Sequence, residues 1–154
     1  MQKSEFLKGE GDAYFARNRG NYQAENDPLI GIVDDIDLIE KRALRVLEIG
    51  CGKGERLAHL KTCKGWVVHG LDPSQKAIGH ARSINVDGVT GTADKLPWPD
   101  EEFDLVVFGF CLYLRDPSDL FTIAKECNRV LSSSGWIVIV DFFCKGFSYQ
   151  FIQA

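Results

Sequence analysis

Residues 45–57, RVLEIGCGKGERL, set Gly50, Gly52 and Gly54 in alternation directly behind an apolar run. Glycines at that density remove the β-carbons that would bar a tight turn and hold a ligand away from the main chain. Two acids follow at a distance: Asp72, closing the next apolar run, and Asp94, within GTADKLPWPDEEFDLVVF. A carboxylate at the first place can accept hydrogen bonds from both hydroxyls of a ribose. One at the second can accept a hydrogen bond from the amino group of an adenine. Together they are chemistry for holding a nucleoside. Each also has a plainer use: the glycines could serve helix-sheet packing, Asp72 could cap a helix ahead of Pro73, and Asp94 could be a solvated loop acid.

Two ligands compete for such a loop, the dinucleotides and S-adenosylmethionine. The dinucleotide fingerprint G-x-G-x-x-G/A keeps a small residue inside the helix and seats a pyrophosphate on the helix N-terminus. Glu55 stands at that place here. A carboxylate in the first helical turn repels a pyrophosphate, yet suits the helix dipole when no phosphate is bound. The loop favours a ligand without phosphates, so an NAD(P)-dependent oxidoreductase is the disfavoured alternative.

The elements that must position these residues alternate along the chain. Asp27 and Pro28 open a helix whose Leu29, Ile32, Val33, Ile36 and Ile39 recur at helical spacing. ALRVLEIG is a strand, and GERLAHLKTC a helix with Leu57, Leu60 and Cys63 on one face. WVVHGLD is the second strand, and PSQKAIGHARSI a helix begun by Pro73. A weak strand around GVTGTA and a fourth, FDLVVFGF, precede a helix, PSDLFTIAKECNRVL, with Leu120, Ile123 and Cys127 on its inner face. SSSG stops that helix, and WIVIVDFF is the last strand. Continuous apolar strands separated by helices require a parallel sheet covered on both faces. The expected fold is α/β, a three-layer sandwich with an open, mainly parallel twisted sheet of Rossmann-like type. At 154 residues the chain fits one domain, with a core over 44–142 and an N-terminal segment, 1–26, as a lid.

Composition excludes other classes. A net charge of −4 and a pI near 5.4 give no footprint for a phosphate backbone, so nucleic acid is not an expected partner. No apolar run is long enough to span a bilayer and the first residues lack a signal peptide's apolar stretch, so no membrane partner is expected and the location is cytoplasmic. Five cysteines, odd in number and never in a C-x-x-C pair, read as reduced thiols, with no metal site.

VLEIGCGKG, GLDPS, GTADKLPWPDEEFDLVVFGFCLYLRDP and RVLSSSGWIVIVDF, in that order, resemble the motifs of class I S-adenosylmethionine-dependent methyltransferases, in particular the small-molecule branch. The resemblance spans about residues 44–142. It implies that Glu48 and the loop Gly50, Cys51, Gly52 and Gly54 face the methionine part of the cofactor. It further implies that Asp72 and Pro73 take the ribose, Ala93, Asp94 and Lys95 the adenine, and Phe108, Gly109 and Phe110 the floor beside the sulfonium. The product would be S-adenosylhomocysteine. Cys51 is then a small loop residue, since a buried free cysteine behaves as a small apolar group.

On the acceptor side stand Tyr113 and the opening stretch GEGDAYFARNRGNY. Tyr14, Phe15, Arg17, Asn18 and Arg19 could close over the cofactor, with an arginine facing its carboxylate, or the segment could be a helix packing its aromatics on the core. His59, His69 and His80 read as structural or surface residues. No nucleobase-methylating motif is present, and the opening stretch is similar to the starts of small sugar-modifying enzymes, so the expected acceptor is a small molecule such as a sugar. The chain stops soon after WIVIVDFF, where such enzymes continue into antiparallel strands, so the sheet is expected to lack them. The exposed edge would then be covered by the tail FSYQFIQA, by homodimerisation or by a partner. The alternative function is a cofactor-binding module without catalysis that works through a partner.

Overall fold

The computed structural model describes residues 5–17, 20, 22–143 and 146–153. After a π-type turn at Phe6–Glu10 come α1 (Gly11–Arg17) and α2 (Pro28–Glu40). The alternating core follows: β1 (Arg45–Ile49), α3 (Glu55–Lys64), β2 (Val67–Asp72), α4 (Gln75–Ser83) and β3 (Asp87–Thr90). Next are β4 (Phe103–Gly109), α5 (Leu120–Val130), β5 (Leu131–Phe143) and β6 (Gly146–Gln153). The sheet order is β3-β2-β1-β4-β5-β6, with the first five strands parallel and β6 antiparallel to β5.

The strands alternate between two cores because successive side chains leave opposite faces. Val46, Leu105, Val107 and Val138 pack against Leu29, Ile32 and Ile36 of α2 and Leu57 and Leu60 of α3. Leu47, Ile49, Val106 and Phe108 point the other way, onto Ile123, Cys127 and Val130 of α5. Each fully buried aliphatic side chain contributes about 1.5–3 kcal/mol, so both helical layers are held by the strand pattern itself. Strand order reverses between β1 and β4, and a crevice opens there at the carboxyl ends of the strands.

Several local expectations shift. Asp27 caps α2 as expected, its Oδ1 accepting from Leu29 N at 3.0 Å. The cap of α4 is Ser74, whose Oγ accepts from Ala77 N at 3.0 Å, so Pro73 precedes the helix instead of starting it. Ile39, Cys63 and Leu120 lie outside the apolar faces assigned to them: Ile39 and Leu120 are 62% and 45% exposed, and Cys63 is exposed. In β5 the register jumps from Phe103↔Leu131 to Leu105↔Trp136, so SSSG is an irregular entry into the strand. The tail supplies one antiparallel strand, where none was expected in the sheet; it takes the edge of β5, one of the three covers anticipated.

Gly54 explains how tightly the first loop is set. Its φ of 73° lies in the left-handed region, and a β-carbon there would come 2.8 Å from Cβ of the fully buried Ala81 on α4. Gly54→Ala is expected to cost about 2 kcal/mol or more through backbone strain plus overpacking, read as a lower urea midpoint. Ala81→Gly in the same chain should recover part of that loss; an unchanged midpoint in the single variant would show that α3 and α4 can separate freely.

Candidate functional site

At the carboxyl ends of β1, β2 and β4 lies a cavity of about 320 Å³, toward the small end of ligand pockets, which run from roughly 300 to 1,000 Å³. Its lining brings together Glu48, Gly50, Cys51, Gly52, Asp72, Pro73, Gly109, Phe110, Tyr14 and Phe15. The three loop glycines serve different ends. A β-carbon on Gly50 would meet Cys111 at 2.8 Å, and one on Gly54 would meet Ala81, so these two glycines permit packing. At Gly52, φ 52°, a β-carbon would meet nothing within 4 Å, and this glycine lines the cavity. Gly54 is not among the lining residues.

Asp72 holds that loop in place. Its Oδ2 accepts from Gly52 N at 2.9 Å and its Oδ1 from Ser74 N at 2.8 Å. Burial pushes its pKa up, partly offset by these two hydrogen bonds. A carboxylate offers about four lone-pair sites, so acceptor capacity remains after both bonds. Ser74 in turn donates from Oγ to Asp12 Oδ1 at 2.6 Å, and Lys76 N donates to the same oxygen at 3.2 Å. Asp12 thus straps α1 to the start of α4. A second strap runs from Lys53 Nζ to the carbonyl of Gly20 at 3.0 Å. Between them the N-terminal segment presents Tyr14, Phe15 and Tyr22 to the cavity.

The floor carries a group the sequence reading missed. Arg56, in the first turn of α3, donates from Nε to Asp27 Oδ2 at 2.6 Å and forms an ion pair with Glu48 on the other side. It lies across Gly109, where a β-carbon would come 2.7 Å from its guanidinium. Glu48 is 2% exposed; one of its oxygens takes Arg56, and Oε2 is buried with no hydrogen-bond partner among the described residues. Burial pushes Glu48 up from 4.5 to about 7 against the pull of Arg56. The hydroxyl of Tyr22 is likewise buried, and burial beside Asp27 raises its pKa. A helical signal for Arg56 exists: it sits four residues before the buried Leu60, on the inner face of α3. Leu114 and Arg115, past β4, also line the cavity and were not foreseen.

Other expected site residues lie elsewhere. Phe108 is buried in the α5 core, because strand alternation sends it away from the face that Gly109 and Phe110 approach. Ala93 is buried in that same core, and neither Asp94 nor Lys95 lines the cavity. Arg17 pairs with Glu10 on the surface. Asn18 and Arg19 lie outside the described residues, as does Cys144. Burial drives the Cys51 thiol well up, which keeps it protonated. His59 and His80 face Tyr22 and Phe15, and His69 packs edge-on against Trp98 and Phe103; none of the three lines the cavity.

An open parallel sheet with a glycine loop at its switch point is the architecture of class I, Rossmann-like nucleoside-binding proteins. The chain belongs to the methyltransferase domain family, which matches residues 47–139. An uncharacterised methyltransferase of Synechocystis is 39% identical over 100 residues, covering 63% of this chain and 46% of that protein. The demethylmenaquinone methyltransferase of Staphylococcus aureus is 30% identical over 112 residues, 68% of this chain and 46% of its own length. The chain therefore spans a little under half the length of these relatives. A solved S-adenosylmethionine-dependent methyltransferase from Archaeoglobus fulgidus superposes with a TM-score of 0.59 at 27% identity, covering 72% of this chain and 52% of that one. No helix among the described residues is long and apolar enough to cross a membrane.

The raised pKa of Glu48 has a definite sign. The folded protein holds the proton more tightly than the unfolded chain, so Glu48's contribution to stability is complete below pH 4.5 and is lost as pH rises through about 7. Chemical denaturation of the ligand-free protein across that window should show a stability decline that Glu48→Gln flattens. Equal slopes in the two proteins would mean that Arg56 keeps Glu48 ionised throughout.

Proposed function

We propose that this chain binds S-adenosylmethionine in the crevice between β1 and β4 and transfers its methyl group to a small-molecule acceptor, leaving S-adenosylhomocysteine. The observation that carries the reading is that one cavity is lined both by the open main chain at Gly52 and by Glu48, whose buried Oε2 has no partner among the described residues. Such an oxygen suits the amino group of the cofactor's methionine part. Glu55, also in the lining, would face a pyrophosphate with like charge, which argues against a dinucleotide. Asp72 retains acceptor capacity for a ribose beside the loop it fixes.

When bound, the cofactor supplies a methyl group on a sulfonium, a good leaving group for in-line displacement. The residues then have to align the acceptor and exclude water, which can supply much of the rate enhancement without a dedicated base. Tyr14 and Phe15 cover the cleft from the N-terminal side, and Phe110 walls it past β4. Residues 93–95, outside the lining, are left out of the proposed contacts. We place this activity in a single cytoplasmic domain, in keeping with free thiols at Cys51, Cys63, Cys111 and Cys127. The S. aureus relative is named for a small-molecule acceptor. The apolar wall at Phe110 argues against the sugar suggested by the opening stretch.

Calorimetry with S-adenosylmethionine, S-adenosylhomocysteine and NADH tests the reading. The first two should bind and NADH should not. Asp72→Ala should weaken both by about 1–3 kcal/mol, the scale of hydrogen bonds to a charged group. Retention of NADH with indifference to both sulfur ligands would overturn the assignment, and an unchanged affinity in Asp72→Ala would remove that residue from the site.

A further inference from the structure

The end of the sheet that holds the cavity also carries a wall of aromatic rings. Phe110 lines the cavity, and its ring centroid is 5.0 Å from that of Phe142 on β5. The ring of Tyr113 meets Phe142 edge-on at 5.3 Å and 79°. Tyr113 and Phe142 are 47% and 56% exposed, so the wall runs from the cavity out to solvent.

These rings are held by main-chain devices. Asp141, 7% exposed, accepts from Tyr113 N at 3.0 Å through Oδ2 and from Phe142 N at 2.8 Å through Oδ1. One buried carboxylate therefore fixes the backbone of two of the three aromatic residues. Phe110 adopts φ 55°, uncommon for a bulky residue, while its N–H is anchored to the carbonyl of Val140 at 2.7 Å. Strain of this kind persists where the surroundings enforce it, and functional sites are where it gathers.

We propose that Phe110, Tyr113 and Phe142 form the acceptor subsite and that the acceptor is a planar aromatic molecule. The proposal rests on the donor site argued above, to which Phe110 joins the wall without a break. Rings set in tilted and edge-on contact offer faces and edges to one more flat ring at the centroid spacings aromatic pairs prefer. A sugar would need a polar partner for most of its hydroxyls. Polar groups available to it include the hydroxyls of the part-exposed Tyr113 and of Tyr14, which lines the cavity, enough to orient a single substituent. A long acyl chain would extend past three rings clustered this closely.

The test is direct binding of 2-naphthol, measured by calorimetry with and without S-adenosylhomocysteine, alongside decanoate and glucose. Wild-type protein should bind 2-naphthol in preference to the other two. Phe142→Ala and Tyr113→Ala should each weaken 2-naphthol about fivefold, the scale of one aromatic pair. Phe142→Tyr should keep its affinity, and S-adenosylhomocysteine should bind all variants alike. Because Phe142 and Tyr113 are half-exposed, loss of the fold is not expected, and thermal melting of each variant checks it. Affinity for 2-naphthol that ignores both alanine variants, or tighter binding of glucose or decanoate, would overturn the proposal. Failure of S-adenosylhomocysteine to bind wild-type protein would remove the donor site instead. The arm without that ligand would still decide whether the rings hold an aromatic molecule.

Discussion

The carboxylate of Asp72 is the point to which the cavity is tied. One oxygen receives the amide of Gly52 and the other the amide of Ser74, so a single side chain joins the glycine loop after β1 to the helix start after β2. Ser74 extends the same chain outward to Asp12, which brings the N-terminal segment over the opening. Three separate stretches of sequence thus depend on one acid. The loop can carry glycines, with all their conformational freedom, because its position is fixed from outside itself.

A second buried charge cluster sets the floor. Arg56 bridges Asp27, at the start of α2, and Glu48, on β1, while lying over the bare backbone of Gly109. Desolvating such a group costs about as much as the attraction returns, so its value is more in position than in net stability. It couples α2, α3 and β1 at the base of the cavity and leaves Glu48 with an acceptor that no described residue fills. In the proposed donor site that leftover acceptor gives the floor a preference for a cationic or hydrogen-bond-donating group.

Much of this was legible in the sequence where local rules govern. Apolar runs gave the strands, the Asp27-Pro28 pair gave the start of α2, and the glycine loop behind β1 gave the place of the crevice. The structure departs from the local reading where two rules compete. Phe108, Gly109 and Phe110 were read as one floor, but a strand cannot send adjacent side chains to the same side, and Phe108 belongs to the opposite core. Arg56 was overlooked because a charged residue after a loop reads as solvated; only its spacing from Leu60 marks the inner face. The strap from Asp12 to Ser74 joins residues 62 positions apart, and no local pattern encodes such a pair.

The aromatic wall shows how the same scaffold divides its tasks. Strand ends β1 and β2 turn main chain and carboxylates toward the proposed donor, where polarity is needed. Past β4 and β5 the chain turns rings toward the opening, and a buried acid there, Asp141, accepts from backbone amides. A carboxylate used this way holds the backbone of Tyr113 and Phe142 in place. The hydrogen bonds that Asp72 and Asp141 accept from backbone amides hold the two halves of the proposed site in register.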